Sequence, residues 1–324
     1  MRVVVTGGAG YIGSVVTDQL VRAGHDVTVI DDLSTGHADS LPSSVTLHRM
    51  AVGGIAEVLG RGEAVDAVMH FAGKIAAGES VRKPGLYWQS NVVESIELLA
   101  AVREARVPRL IFSSSAAVYG NPTHTPITED AATAPTSPYG WTKLAIDAAI
   151  GHECRASDLG AVSLRYFNVA GASRSSDGRP LGERHNPETH LIPLAFEVVA
   201  GQRGQLELFG DDYPTPDGTC VRDYIHVEDL ARAHLLALEH THPGEHQVYN
   251  LGNGQGHSNR EVIEAVQTVT GTKVNVSVAP RREGDPAILV ASSERAETQL
   301  GWTRQKPDLP AIVADAWEFY GRSS

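Results

Sequence analysis

The segment RVVVTGGAGYIGS, residues 2–14, places a short apolar strand directly before a glycine-rich turn and the start of a helix. Apolar residues then recur at helical spacing from Ile12 to Leu20, and Gly24 ends the helix. The β-branched segment 26–31 supplies a second strand. Together these elements form a βαβ unit of ~30 residues.

The turn inside this unit has the spacing of a dinucleotide site. Gly7, Gly10 and Gly13 follow the pattern G-x-x-G-x-x-G, which permits a tight turn and lets backbone N–H groups approach a pyrophosphate. Asp31 closes the second strand, where a carboxylate accepts hydrogen bonds from both hydroxyls of an adenosine ribose. Since residues 30–44 contain no Arg or Lys, and the carboxylate would repel a 2′-phosphate, we expect NAD rather than NADP.

Strands and helices continue to alternate through the first half of the chain. Further strands are predicted at 67–71 and 109–112, with a helix at 91–103 between them. Strands that are apolar throughout are typical of a parallel sheet covered by helices on both faces. After about residue 168, Gly, Pro and polar residues cluster, which indicates a smaller, loop-rich unit. We expect an α/β fold: a Rossmann-type doubly wound parallel sheet at 1–168, with a return segment near 220–250, and a smaller α/β domain at 169–324.

The composition excludes several classes of protein. The 324 residues include 27 Lys+Arg and 39 Asp+Glu, a net charge of −12 without any basic run, so nucleic acid and anionic membranes are poor partners. No apolar stretch approaches the ~20 residues that span a bilayer. Cys154 and Cys220 lack CxxC spacing, so we expect neither a disulfide framework nor a cysteine zinc site. The beginning of the sequence lacks the features of a signal peptide, and we expect a cytoplasmic protein.

A second motif, SPYGWTK at 137–143, predicts catalytic chemistry. Ser137 is a good N-cap and Pro138 suits the first helical position, so Tyr139 and Lys143 lie on one helix face. An ammonium near a phenol, together with the helix N-terminus, is expected to lower the pKa of Tyr139 from ~10 toward neutrality. Tyr139 would then act as the base that takes an alcohol proton while hydride leaves for a nicotinamide. The serines at 113–115 end a sheet strand nearby, and composition alone does not choose among them.

At these motifs the sequence resembles the UDP-glucose 4-epimerase (UDP-galactose 4-epimerase) family of extended short-chain dehydrogenases/reductases. The resemblance covers nearly the whole chain, with TGGAGYIGS at 6–14, FAG and GES within 71–80, SSSAAVYG at 113–120, SPYGWTK at 137–143, LRYFNVAGA at 164–172 and DGTCVRDYIHVEDLA at 217–231. It implies an NAD-dependent 4-epimerase that interconverts UDP-glucose and UDP-galactose through a transient 4-keto sugar. It also implies a role in galactose metabolism, a homodimer, and a second domain that binds a nucleotide sugar.

The resemblance implies roles for residues of the first domain. Ser115 is the hydroxyl partner of the base Tyr139, and Lys143 modulates that base. Cofactor contacts are implied for Gly7, Gly10, Tyr11, Ile12, Gly13, Asp31, Phe71, Ala72, Gly73, Asn91, Ser113, Tyr139, Lys143 and Tyr166.

Substrate contacts are implied for a second group of residues: Ser115, Tyr139, Phe167, Asn168, His190, Leu191, Phe209, Arg222, Arg282, Asp285 and Leu289. Arg222 and Arg282 bind the diphosphate with help from Asn168, since guanidinium is a bidentate phosphate ligand. Asp285 accepts from the uridine ribose, and Leu191 and Phe209 enclose the uracil. The alternative for the arginines is an ion pair with Asp223 or Asp285.

Other functions remain open at this point. A 4,6-dehydratase of the same fold carries Asp-Glu after the hydroxyl residue, where this chain has Ala116 and Ala117. A net NAD(P)-dependent reductase would exchange its cofactor in each turnover, and a non-catalytic nucleotide-sugar sensor would keep only the fold. The sugar is open as well: a UDP-N-acetylhexosamine, a uronic acid or a pentose are alternatives, because Leu289 is intermediate in size. Contacts of His190 and Lys74 with the substrate are also left open.

Overall fold

The computed structural model describes residues 1–60, 64–282 and 284–323. Its strands are β1 (Arg2–Thr6), β2 (Asp26–Asp31), β3 (Thr46–Arg49), β4 (Ala67–His70), β5 (Arg109–Ser115), β6 (Gly160–Tyr166), β7 (Asn168–Ala170), β8 (Ser173–Arg174), β9 (Pro180–Leu181), β10 (Leu206–Phe209), β11 (Val221–His226), β12 (His246–Leu251), β13 (Gly256–Ser258), β14 (Val276–Ala279) and β15 (Ile288–Leu289). Its α-helices are α1 (Tyr11–Arg22), α2 (Ile55–Leu59), α3 (Ala77–Arg82), α4 (Pro84–Tyr87), α5 (Glu94–Glu104), α6 (Pro138–Ala156), α7 (Leu191–Val199), α8 (Val227–Glu239), α9 (Asn259–Thr270), α10 (Glu294–Leu300) and α11 (Leu309–Ser323).

Seven strands form one parallel sheet in the order β12-β6-β5-β4-β1-β2-β3. The chain order reverses between β1 and β4, and ligands of open α/β sheets bind at the carboxyl edge of such a switch point. The glycine turn follows β1 and the segment 71–73 follows β4, so both lie at this edge. The arrangement confirms the predicted doubly wound α/β fold.

Side chains of consecutive sheet residues enter different cores. Val3 and Val5 pack with α1 and α8 on one face, while Val4 and Val68 pack with α5 and α6 on the other. Because both faces are covered by helices, these strands are apolar throughout. The helix predicted at 91–103 begins inside a π-helical segment, Trp88–Val93, and continues as α5. The strand predicted at 109–112 extends to Ser115, because its three serines pair with β6.

The smaller part of the structure surrounds β11. This strand pairs with β13, β15 and β7, and a separate pair of parallel strands, β10 and β14, lies in the same half of the sequence. Its core is formed by side chains of α7, α9 and α11. β12, by contrast, joins the large sheet beside β6. Among the described residues, no helix combines the length and the apolar character needed to cross a bilayer.

Candidate active site

The glycine turn after β1 is packed so closely that only glycine fits at two of its positions. Gly7 has a φ of +72°, and a Cβ there would lie 2.5 Å from the backbone nitrogen of Ala72. A Cβ at Gly13 would lie 2.1 Å from the carbonyl oxygen of Gly7. A Cβ at Gly10 would meet only that same oxygen, at 3.3 Å, so the face of the turn at Gly10 is open. The turn is therefore tightly packed at Gly7 and Gly13, and its backbone is accessible at Gly10.

The open face suits an anionic group. Gly10 is the N-cap of α1, and no side chain caps this helix within the described chain, so the amides of its first turn, at Tyr11, Ile12 and Gly13, remain for an external acceptor. Asp31 accepts hydrogen bonds from the amides of Ala9, at 3.0 Å, and Leu33, at 2.8 Å, which fix its carboxylate beside the turn. These residues fit the pyrophosphate and ribose of a dinucleotide.

Helix α6 begins as the sequence predicts. The Ser137 hydroxyl accepts a hydrogen bond from the amide of Gly140 at 3.2 Å, and Pro138 is the first helical residue. The amide of Tyr139 donates to the Ser80 hydroxyl of α3 at 3.1 Å. Because this contact joins two helices, it fixes the backbone from which the Tyr139 side chain projects.

Ser115, Tyr139 and Lys143 come together at the end of β5. The Ser115 hydroxyl forms a side-chain hydrogen bond with Tyr139. The Lys143 ammonium donates to the carbonyl oxygen of Ser113 at 2.7 Å and lies 6.0 Å from the centroid of the Tyr139 ring. Lys143 is only 3% exposed. The predicted base and its hydroxyl partner, both half-buried, and the buried cation are therefore neighbours.

The electrostatics of this group differ from the prediction. Burial raises the pKa of Tyr139 above its usual value, and the hydrogen bond from Ser115 lowers it only in part. Burial also lowers the pKa of Lys143 to about 8, against a smaller raising effect of Asp147. The expected fall of the Tyr139 pKa toward neutrality was wrong for this arrangement, because removal of the phenolate from water outweighs the attraction of an ammonium 6.0 Å from the ring.

Asn91 connects the loop after β4 to α6. Its side-chain oxygen accepts from the amide of Lys74 at 2.8 Å, and its side-chain nitrogen donates to the Lys74 carbonyl and to the Thr142 hydroxyl, each at 3.0 Å. A Cβ on Gly73 would lie 3.1 Å from the Asn91 oxygen and 4.0 Å from the Lys143 nitrogen. The structure therefore brings Asn91, Gly73 and Lys143 together.

Two further cofactor-site candidates lie beside them. The Tyr166 hydroxyl donates a hydrogen bond to the Ser113 hydroxyl. Phe71 and Tyr166 both pack on the ring of the buried His234, with ring centroids 4.8 Å and 5.7 Å away. These contacts join the ends of β4, β5 and β6 at the same edge of the sheet.

Candidates for the substrate half form a group around β11. Arg222 is paired with Asp285, with 2.5 Å between the guanidinium nitrogen and the carboxylate oxygen, so the alternative weighed from the sequence is present. Leu289 lies opposite Arg222 in the β11–β15 register, and Asn168 lies opposite Tyr224 in the β11–β7 register. Phe167 packs in one apolar cluster with Leu289.

The remaining substrate candidates occupy the loops around this group. The Arg282 guanidinium lies 3.9 Å from the centroid of the Phe209 ring, at the end of β10. Leu191 is the first residue of α7. The His190 imidazole, directly before it, contacts the Glu183 carboxylate. His190 therefore faces a carboxylate through Nδ1, and its contact with the substrate, left open from the sequence, stays a prediction.

Sequence reasoning missed two residues that hold the site together. Thr142 donates to the carbonyl oxygen of Tyr139 at 2.7 Å and accepts from Asn91, and Ser80 accepts from the Tyr139 amide. Thr142 lies three residues after Tyr139, so its place on the same helix face was a usable signal. Ser80 could not be found this way, because its partner is 59 residues away in the chain.

Comparisons with known proteins place this site in context. The model of the NAD dependent epimerase/dehydratase family matches residues 3–252. The UDP-glucose 4-epimerase of Corynebacterium glutamicum is 52% identical over 320 residues, which cover 98% of this chain and 95% of that protein. The solved UDP-glucose 4-epimerase of Bifidobacterium longum, in complex with NAD+ and UDP, superimposes with a TM-score of 0.93 at 36% identity, covering 99% and 98% of the two chains. That of Brucella ovis, in complex with NAD, gives 0.92 at 43% identity, with the same coverage.

Proposed function

This chain belongs to the NAD-dependent epimerase/dehydratase family, and on that premise we propose how its residues divide the work of a 4-epimerase. The chain is an NAD-dependent UDP-glucose 4-epimerase, which interconverts UDP-glucose and UDP-galactose. The observation that carries the assignment of roles is the half-buried side chain of Tyr139, hydrogen-bonded to Ser115 and flanked by the buried Lys143 at the carboxyl edge of the sheet.

Tyr139 takes the proton from the 4-hydroxyl of the sugar, directly or through Ser115. NAD, when bound, supplies the ring that accepts a hydride from C4 and returns it. Once the 4-keto sugar presents its opposite face, Tyr139 gives the proton back to the oxygen. The sugar is thereby inverted at C4 without net oxidation.

The base requires support from its neighbours because burial opposes its charge. Burial raises the pKa of Tyr139, so an ionised phenol at neutral pH needs positive charge nearby. Lys143 supplies part of that charge, and its bond to the Ser113 carbonyl fixes the ammonium in place. Asn91 serves the same end indirectly, since it holds the Gly73–Lys74 backbone next to Lys143.

Epimerisation also requires tight binding of the nucleotide and only weak binding of the hexose. Arg222 and Arg282 bind the diphosphate, with Asn168 beside them, and Asp285 exchanges its ion pair with Arg222 for the ribose hydroxyls. Phe209, on which Arg282 is stacked, and Leu191 enclose the uracil. Since the anchoring contacts lie at the nucleotide, the sugar can turn about the diphosphate linkage and present either face.

The same proposal extends to organisation and place in the cell. Residues 1–168, together with a return segment near 220–250, form the NAD-binding domain. This division is supported by β12 in the large sheet and by α8, which packs against α1. The rest binds the nucleotide sugar. The resemblance to the family supports a homodimer, and Cys154 and Cys220, which are buried free thiols, agree with a reducing cytoplasm.

The assignment is tested by Tyr139→Phe. The substitution keeps the ring and removes the proton-transferring oxygen, so kcat for UDP-galactose should fall by about 10²–10⁴-fold, the usual worth of a general base. Binding of UDP, measured by calorimetry, should not change. Tyr249→Phe is the control, because it removes the same hydroxyl from a fully buried tyrosine whose only hydrogen-bond partner among the described residues is Gln299. Wild-type turnover in Tyr139→Phe would overturn the role of the phenol.

A further inference from the structure

Four side chains of the loop between β9 and α7 converge at one point. They are Glu183, His185, Glu188 and His190. Each offers one possible ligand atom, an imidazole nitrogen or a carboxylate oxygen, and these four atoms all lie within 4.8 Å of one another. We propose that these four residues bind a divalent transition-metal ion, Zn²⁺ in particular. The site is additional to the epimerase chemistry.

The spacing of the ligand atoms is close to that of a metal site. The Glu183 carboxylate lies 2.9 Å from His185 Nδ1 and also contacts His190 Nδ1, which is 3.5 Å from Glu188. The two imidazole rings are 5.4 Å apart between centroids. Tetrahedral zinc with bonds of ~2.1 Å separates its ligand atoms by about 3.4 Å. Small side-chain rotations are therefore enough to place all four around one ion.

A second observation points to a ligand at the same place. His185 Nδ1 is buried and has no hydrogen-bond partner in the described part of the chain, although it lies 2.9 Å from a carboxylate oxygen. A buried polar atom without a partner is costly and rare in a native structure. A cation held by the imidazole nitrogens and carboxylate oxygens of the cluster would give this atom a partner.

The charges of the cluster also favour a cation. The side chains of Glu183 and Glu188 are only 10% and 8% exposed, so two carboxylates are removed from water together. Arg184, the nearest cation in the sequence, turns away and pairs with Asp39. A divalent ion would compensate both negative charges. Two imidazole and two carboxylate ligands match zinc better than calcium or magnesium, which prefer oxygen ligands alone.

The position of the cluster suggests what the ion does. The Arg184 carbonyl, inside the loop, contacts His37 Nε2 of the cofactor half at 3.1 Å, and Leu191, implied at the uracil, follows His190 directly. A metal bound here would fix the loop that connects the two halves of the active site. In this account His190 is a metal ligand rather than the substrate ligand that the resemblance implies.

The test uses the NAD-loaded enzyme, stripped with a chelator and then titrated with zinc. We expect one zinc ion per chain by elemental analysis, a higher melting temperature with zinc, and the visible absorption of tetrahedral cobalt when Co²⁺ replaces it. His185→Ala and Glu188→Gln should each weaken zinc binding by about 100-fold, since even outer-shell changes cost 10–100-fold. The matched control is His152→Ala, which removes an exposed histidine of α6.

The outcomes distinguish a cluster that binds a metal ion from one that is stabilised by protons alone. Stoichiometric zinc that is lost in the two ligand variants and kept in the control supports the site. The proposal is overturned if the wild-type chain takes up no stoichiometric zinc, if uptake is the same in His185→Ala, or if only protons stabilise the cluster. Should His185→Ala fold poorly, Glu188→Gln and the cobalt spectrum of the wild-type enzyme still decide. A failure here leaves the epimerase assignment intact, because that assignment is tested at Tyr139.

Discussion

Replacement of Asn91 by alanine should damage the active site more than the fold. The substitution removes three hydrogen bonds, from the side chain of Asn91 to the amide and carbonyl of Lys74 and to Thr142. At ~1 kcal/mol for each bond, the loss is about 3 kcal/mol before water recovers part of it. The backbone of Lys74 is only half-buried, so a net loss of about 2 kcal/mol is expected. This corresponds to a fall of roughly 3 °C in the melting temperature.

The effect on turnover should be larger than that modest loss suggests. Without Asn91, the Gly73 backbone beside the Lys143 ammonium is no longer fixed. Because a small misplacement of reacting groups costs up to ~10²-fold in rate, we expect kcat to fall about tenfold. The assays are scanning calorimetry and the steady-state conversion of UDP-galactose, both on the NAD-loaded enzyme.

The matched control is Asn250→Ala. Asn250 is also fully buried and bonds the Ile127 carbonyl at 2.9 Å and the Tyr119 hydroxyl at 2.7 Å, away from the catalytic group. Its loss should lower the melting temperature by a similar amount and leave kcat unchanged. Equal effects of the two substitutions on kcat, or wild-type turnover in Asn91→Ala, would refute the reasoning.

Two other substitutions probe the anchor and the base. Arg282→Ala should raise KM for UDP-galactose more than it lowers kcat, because it removes a diphosphate ligand. The control is Arg281→Ala, since the Arg281 side chain pairs with an exposed aspartate. A larger effect on kcat than on KM in Arg282→Ala would show that Arg282 does not anchor the diphosphate. Ser115→Ala should move the acid limb of the kcat–pH profile to higher pH. The Ser115 hydrogen bond lowers the pKa of Tyr139, so its loss raises that pKa, and a higher pH is then needed to form the phenolate. Ser114→Ala, which loses a bond to a buried aspartate instead, should leave the limb in place, and a shift toward lower pH in Ser115→Ala would contradict the sign.

Local chemistry was enough to predict the parts of the molecule that depend on neighbouring residues. The turn at Gly7 to Gly13 needs glycine because backbone atoms occupy the space that a Cβ would take. The spacing of these glycines in the sequence therefore predicts the turn. The start of α6 follows from Ser137 and Pro138 alone. The family, the fold class, the activity and NAD are confirmed. The roles of individual site residues remain predictions.

Properties that arise only from packing could not be predicted from the sequence. The pKa of Tyr139 depends on how completely α6 and β5 exclude water, which a motif does not encode. The bonds of Asn91 to Lys74 and Thr142 join segments that are separate in the chain. The cluster that includes His185 and His190 lies within eight residues, but these follow no regular helical or strand spacing. Only the folded loop shows that their side chains converge.

The fate of the hydrogen on C4 of the sugar shows whether this carbon is oxidised and then reduced within a single active site. UDP-galactose carrying deuterium at C4 is converted by the NAD-loaded enzyme in ordinary water, and the product is analysed by NMR and mass spectrometry. We predict that UDP-glucose keeps the deuterium at C4, because the same hydride is returned to the carbon it left. Loss of the label to solvent, or an accumulating oxidised sugar, would contradict the account.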